Sequence, residues 1–219
     1  MADVVYGRNA VAEAQRGRRR VHRVWTADDL PAHELSRLAG SPDHQGIVAE
    51  VDPYPYADPN ALLSAPDALV VVLDQVQDPR NLGAVCRSAE VAGAAGVVIP
   101  ERRAAAVTAV ACKASAGAVE HLKVARVRNV ADWLRDAKEA GAWSYGAAPD
   151  APTTYDAVDW SGRAVLVLGG EGKGLRPRVA GACDALVSIP RAGRVGSLNV
   201  SAAASVLLFE AVRQRSAKT

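Results

Sequence analysis

A chain of 219 residues with 49% hydrophobic side chains has the composition of a folded globular protein with a sizeable core, as one large domain or a main domain with a small companion. Its 26 basic and 24 acidic residues leave a formal charge of +2, which argues against a histone-like polybasic coat while saying nothing about local basic patches. No signal-like start and no apolar run near the ~20 residues of a bilayer span is present, and Cys86, Cys112 and Cys183 are too few and scattered for a disulfide framework, so a cytoplasmic protein with reduced, core-filling cysteines is expected.

In chain order, residues 7–15 read as helix, 21–26 as strand, 31–38 as helix and 46–51 as strand. Asp52 to Asn60 then holds three prolines, which disfavours helix and suits a semi-rigid linker. Beyond it, residues 68–73, 96–99, 143–147, 164–168 and 185–189 are short aliphatic runs without polar alternation, as expected of strands buried on both faces of a parallel sheet with helices on either side. Val200, Ala203, Ala204, Leu207, Leu208 and Ala211 recur at helical spacing, with Arg213 and Arg215 near the C-terminal end where cations suit the dipole.

Charge is uneven. Residues 1–65 carry seven basic and nine acidic side chains, and residues 66–219 carry 19 and 15. Within the first part sits Arg16-Gly17-Arg18-Arg19-Arg20-Val21-His22-Arg23, which reads either as a phosphate-contacting knot or as a solvated turn.

Three segments that follow strands are dense in ligand-binding residue types, and ligands of open parallel sheets gather at the carboxyl ends of strands. In Asp78-Pro79-Arg80-Asn81-Leu82-Gly83-Ala84, Asn81 can cap a helix running to about Ala92; Leu82, Val85, Cys86 and Ala89 form its buried stripe, and Arg87 projects off that stripe. Gly169-Gly170-Glu171-Gly172-Lys173-Gly174 packs four glycines around a carboxylate, and neither a Walker A loop nor the dinucleotide fingerprint fits it. Ile189 to Ser201 enters the last helix with Ser197, Asn199 and Ser201 as candidate caps, and Arg191 and Arg194 nearby suit an anionic or nucleotide ligand. The four histidines stand at no zinc-ligand spacing, and no Gly-x-Ser-x-Gly elbow occurs, so no metal site is expected.

Taken together, Asp78 to Ala84 with Arg87-Ser88-Ala89, Gly169 to Gly174, and Ile189-Pro190 through Ser197-Leu198-Asn199-Val200-Ser201 resemble the three motifs of the SpoU/TrmH class of SPOUT methyltransferases. Tyr6 to Val11 and His44 to Ala49 resemble the ends of the ribosomal-protein-like RNA-binding domain of the 23S rRNA guanosine 2′-O-methyltransferase branch, with fewer residues between them than that domain normally has. The resemblance implies an α/β fold with a SPOUT-type trefoil-knotted parallel sheet and a small, shortened α+β unit. The boundaries expected are residues 1–52 for RNA binding, 53–66 for a linker and 67–219 for the methyltransferase.

It further implies a homodimer that transfers a methyl group from S-adenosylmethionine to a ribose 2′-hydroxyl of RNA, with rRNA ahead of tRNA. Carried over by motif, Asn81 and Arg87 are the RNA-facing catalytic pair, Glu171 organises the site, and Ser197 and Asn199 are polar site residues. Leu168, Gly169, Gly170, Gly172, Ile189, Pro190, Ser197 and Leu198 are expected around the cofactor, and Arg8, Arg18, Arg19, Arg20, Arg80, Arg87 and Arg194 against RNA. Arginine is a poor base by type, so Arg87 acts either as an RNA-steered base or as a purely electrostatic stabiliser of the alkoxide. A noncatalytic RNA-binding relative and a nucleotide-dependent oxidoreductase are the competing readings, and scarce aromatics point to phosphate and ribose contacts more than base stacking.

Overall fold

The computed structural model describes residues 2–217. Near the N-terminus, β1 (Asp3–Tyr6), β2 (Val21–Thr26) and β3 (Ile47–Val51) form an antiparallel sheet in the order β1-β3-β2, with α1 (Arg8–Arg16) and α2 (Ala32–Ala39) in the connections. Strand β1 leaves no mark in the hydrophobic pattern, because four residues are too few to show alternation. Tyr6 pairs with Val48, and Gly7 N donates to Ile47 O, so the segments at 6–11 and 44–49 lie side by side.

The larger sheet contains β4 (Leu69–Asp74), β5 (Gly96–Pro100), β6 (Val124–Val127), β7 (Trp143–Ala147), the two-residue β8 (Thr153–Thr154), β9 (Ala164–Gly169) and β10 (Ala185–Ser188). Its order is β6-β5-β4-β9-β7-β10-β8 and all its pairings are parallel, as the unbroken aliphatic runs predict. Strand β6 escapes the sequence pattern because exposed Arg126 interrupts an already short run.

Successive strand residues point to opposite faces, and each face has its own apolar layer. Leu69, Val71 and Leu73 of β4 with Leu166 and Leu168 of β9 pack toward α3 (Pro79–Val91), α4 (Ala109–Ala114) and α7 (Val200–Ser216). Val70, Val72, Val165 and Val167 pack toward α5 (Val130–Glu139) and the one-turn α6 (Pro177–Ala180). Each fully buried Val or Leu contributes about 1.5–3 kcal/mol. Among the described residues no helix is long and apolar enough to cross a membrane.

The small sheet shares the first of these layers: Val5, Val11, Ala14 and Val51 belong to the same buried cluster as Leu82 and Leu166. The proline-bearing stretch at 52–60 is not a free spacer but is strapped to the body. The buried Tyr54 hydroxyl lies 3.0 Å from the carbonyls of both Val119 and Leu122, and Ala57 N donates to Val124 O.

One arginine of the basic knot, Arg19, is consumed by the same docking, which corrects its expected role against RNA. Arg19 is buried, pairs with the fully buried carboxylate of Glu120, and lies 5.5 Å above the Tyr54 ring. Burial is the largest single influence and lowers its basicity, but the hydrogen bonds and charge attraction of Glu120 and Cys112 together outweigh it and hold the guanidinium charged. Arg18 donates to the carbonyls of Glu120 and Leu122 at 3.2 and 2.8 Å. Arg20 stays exposed.

Candidate active site

The loop after β4 places the first motif. Asp78, not Asn81, caps α3: its carboxylate accepts from Arg80 N at 2.8 Å, and Pro79 takes the first helical position, where its missing N–H costs nothing. Relieved of capping, the Asn81 side chain reaches across to the glycine-rich loop that follows β9. Asn81 Nδ2 donates to Glu171 Oε1 at 2.5 Å, and Asn199 Nδ2 reaches both Asn81 Oδ1 at 3.1 Å and Glu171 Oε1 at 3.0 Å. Asn199 is also the cap of α7, accepting from Ser201 N at 2.8 Å and from Ser201 Oγ at 2.6 Å. One residue from each motif thus meets in a single polar triangle, and Glu171 Oε2 has no hydrogen-bond partner among the described residues.

On one side of the triangle lies a cleft of about 320 Å³, within the usual size of a small-ligand site. Leu168, Gly169, Gly170, Gly172, Ile189, Ser197 and Leu198 line it as expected, while Pro190 is not among its lining residues. Sequence reasoning missed Ala147 at the end of β7 with Ala148 and Pro149 after it, together with Val187, Val200 and Ala203. The rule that ligands collect at strand ends could have found the β7 segment.

The glycines of the loop serve the chain before any ligand. A Cβ on Gly169 would fall 2.0 Å from the carbonyl carbon of Gly174, and one on Gly170 would fall 2.6 Å from the carbonyl oxygen of Gln75. No larger residue fits where these backbones cross. The resulting cleft, apolar-walled, edged by Glu171, Lys173, Arg191 and Ser197, and floored by bare backbone, suits a flat heterocycle with a charged tail.

On the other side of the triangle is a second hollow of about 270 Å³ lined by Ala84, Arg87, Ser88, Ala114, Ser201, Ala202 and Ser205. Ser88 and Ser205 share a hydroxyl hydrogen bond of 2.8 Å across the α3–α7 seam, and exposed Arg87 stands at the rim. Ser201 lines this hollow and also hydrogen-bonds Asn199, so one ridge separates it from the cleft. Among the remaining expected RNA contacts, Arg8, Arg80 and Arg194 are exposed. The cysteines are inert: Cys86 and Cys112 are buried and Cys183 half-buried, and burial pushes the Cys112 and Cys183 thiols up to about 12.

The profile of the SpoU rRNA Methylase family matches residues 68–209. The chain belongs to that family. It is 37% identical to a putative TrmH family tRNA/rRNA methyltransferase of Bacillus subtilis over 97% of this chain and 96% of that protein. It is also 48% identical to an uncharacterized tRNA/rRNA methyltransferase of Mycolicibacterium vanbaalenii over 85% of this chain, and the match spans only 61% of that longer relative. Among solved structures it resembles the SpoU methyltransferase AviRb of Streptomyces viridochromogenes in complex with AdoMet, with TM-score 0.81, 30% identity, and coverage of 98% of this chain and 90% of that one. An AdoMet-bound rRNA methyltransferase of Sinorhizobium meliloti gives TM-score 0.84 at 26% identity over 97% and 87%. The TrmH/SpoU tRNA modifying enzyme of A. aeolicus gives TM-score 0.62 at 27% identity over 72% and 80%.

Proposed function

We propose that this SpoU-family protein is an S-adenosylmethionine-dependent methyltransferase of a ribose 2′-hydroxyl in RNA, acting on 23S rRNA. The observation that carries the reading is the triangle of Asn81, Glu171 and Asn199, set between a cofactor-sized cleft and a hollow that presents Arg87. The preference for rRNA is supported by coverage: the rRNA methyltransferase neighbour matches 97% of this chain, whereas the tRNA-modifying neighbour matches 72%.

In this reading Leu168, Val187, Ile189 and Leu198 pack the adenosine end of the cofactor, and the exposed backbone of the glycine loop lies along it. S-adenosylmethionine, when bound, supplies an electrophilic methyl group on a sulfonium. A ribose hydroxyl is a weak nucleophile, so the protein must align it and offset charge as it ionises. Arg87 provides guanidinium N–H donors to the 2′-oxygen in the hollow, stabilising negative charge as it develops while the hydroxyl proton leaves to solvent. Asn81 and Asn199 fix Glu171 Oε1, which keeps the ridge between the two hollows rigid.

The fold expected with this chemistry is a trefoil-knotted, dimeric one, and two observations support it. Strand β9 inserts between β4 and β7, both of which precede it in the chain, and its exit crosses the β4 loop so closely that only Gly170 fits. Ala202, Val206 and Phe209 form an exposed stripe on α7 at helical spacing beside the Arg87 hollow, a surface suited to a second copy.

Incubation with tritiated S-adenosylmethionine and either deproteinised 23S rRNA or total tRNA, followed by mapping of the labelled nucleotide, tests the reading. A single 2′-O-methyl ribose in 23S rRNA is expected. Label confined to tRNA or to a base would overturn the substrate, and failure to bind the cofactor would overturn the activity.

A further inference from the structure

Because β6, β5, β4 and β9 run parallel, the loops that leave their C-terminal ends share one rim of the sheet: 128–129, 101–108, 75–78 and 170–176. Neighbouring strands lie about 4.8 Å apart, so this rim runs for about 15 Å from the edge of the sheet to the glycine loop beside the polar triangle. The loop after β5 is a fixed structure. Glu101 N donates to Val127 O at 2.9 Å and Ala105 N to Val76 O at 2.8 Å, while Val107 N donates to the Tyr56 hydroxyl at 3.0 Å. Tyr56 is itself clamped by Arg126, whose guanidinium stacks 3.6 Å from the ring centroid and donates to the same hydroxyl at 2.6 Å.

What this anchored loop presents is a pair of exposed arginines, Arg102 and Arg103, with Arg103 in the left-handed region at φ 58°. A non-glycine residue is rarely held there, and the cost of order 1–3 kcal/mol is borne by a loop whose two ends are pinned. Arg128 leaves β6 next door and Arg80 begins α3 on the far side, both exposed. None of these four has a carboxylate partner within ion-pair distance among the described residues, whereas Arg16, Arg19, Arg135, Arg176, Arg178, Arg191 and Arg213 each do. The exposed carboxylates of the rim are Glu101, Asp78, which caps α3, and Glu171 in the triangle. None of Arg102, Arg103 and Arg128 belongs to the three sequence motifs.

We propose that the rim from Arg128 through Arg102 and Arg103 to Arg80 is a phosphate track that seats the RNA strand flanking the target ribose. The inference rests on the RNA reading of the active site and extends it, assigning the substrate's backbone a path over the outer half of the sheet. Planar guanidinium forks without internal partners are suited to phosphate oxygens, and the rim loops that carry them span two strand spacings, about 10 Å. Such contacts carry affinity and register without reading sequence.

The test compares wild-type protein with the triple variant Arg102→Ala, Arg103→Ala, Arg128→Ala and with Lys123→Ala. Lys123 is exposed at the opposite end of β6 and bears the same charge. Binding to deproteinised 23S rRNA is measured across a salt series, and S-adenosylmethionine affinity is measured on each protein as the control for folding. The triple variant should keep wild-type cofactor affinity, bind RNA at least tenfold more weakly, and show a plot of log affinity against log salt shallower by about two, as expected for two to three lost phosphate contacts. Lys123→Ala should match wild type. An unchanged salt slope in the triple variant, or an equal loss in Lys123→Ala, would overturn the track. Wild-type protein that binds no RNA at all would instead overturn the substrate reading beneath it.

Discussion

Asp74, at the last position of β4, is fully buried and accepts two hydrogen bonds from one residue, Arg176, Oδ2 from the backbone N at 3.0 Å and Oδ1 from Nε at 2.8 Å, with Nη2 in ion-pair contact with Oδ1 at 2.6 Å. Arg176 closes the glycine loop that floors the cofactor cleft, so this pair ties the floor to the centre of the sheet. Asp74→Ala should therefore weaken S-adenosylmethionine binding at least tenfold. It should destabilise the fold by about 2 kcal/mol, less than for a fully buried pair because the Arg176 side chain is 42% exposed and can turn to water. Isothermal titration and thermal unfolding read the two effects, and cofactor affinity at the wild-type level would refute the positioning role.

Arg87 separates binding from chemistry. Arg87→Ala should lower methyl transfer by 100-fold or more with cofactor affinity unchanged, because Arg87 lines the acceptor hollow and not the cofactor cleft. Arg87→Lys should recover only part of the rate, since a point charge replaces a planar fork. Full turnover in the alanine variant would remove Arg87 from the mechanism.

Arg19 and Glu120 form the buried joint between the two sheets. Removing one partner strands the other charge, so Glu120→Ala should cost about 3–5 kcal/mol by denaturant unfolding. The paired replacement Arg19→Met with Glu120→Leu should cost much less than Glu120→Ala. A double variant as unstable as the single one would show that the charges themselves, not their mutual compensation, hold the joint.

Phe209 is 48% exposed on α7, and Val91 on α3 is 64% exposed. Residues 84–88 face 201–205 in the same order, so α3 and α7 run parallel and these two side chains follow one turn beyond the Ser88–Ser205 contact. If a second copy covers this face, light scattering should show a dimer that Phe209→Asp converts to monomer, with cofactor affinity retained. A Phe209→Asp protein of wild-type mass would place the dimer elsewhere.

Cysteine reactivity follows from burial. With the Cys112 and Cys183 thiols raised to about 12, chiefly by burial, the thiolate forms only as pH climbs toward that value, well above pH 8. Iodoacetamide at pH 8 should leave the native protein unmodified for hours and label all three cysteines once it is unfolded. Rapid native labelling of Cys183, the half-buried one, would contradict its assigned environment.

The aliphatic runs at 68–73 and 164–168 are legible as buried parallel strands because every residue in them must avoid water, and three strand-end segments are legible as sites because their polar and glycine content has no use in a core. The family resemblance drawn from those segments needs no coordinates. Strands β1 and β6 are too short, or too interrupted by Arg126, for local pattern to reveal them. Only the tertiary structure decides that Asp78 displaces Asn81 as the cap, leaving Asn81 to meet Glu171 and Asn199 across separations of 90 and 118 residues. It also decides which arginines stay in water. Arg18, Arg19 and Arg20 are consecutive and identical in the sequence, yet only Arg19 is buried, drawn in by the Glu120 carboxylate, while Arg18 and Arg20 stay exposed, Arg18 with its guanidinium on the carbonyls of Glu120 and Leu122. Charge is a local property of the sequence, whereas whether that charge finds an internal partner depends on which distant groups the fold brings within about 3 Å.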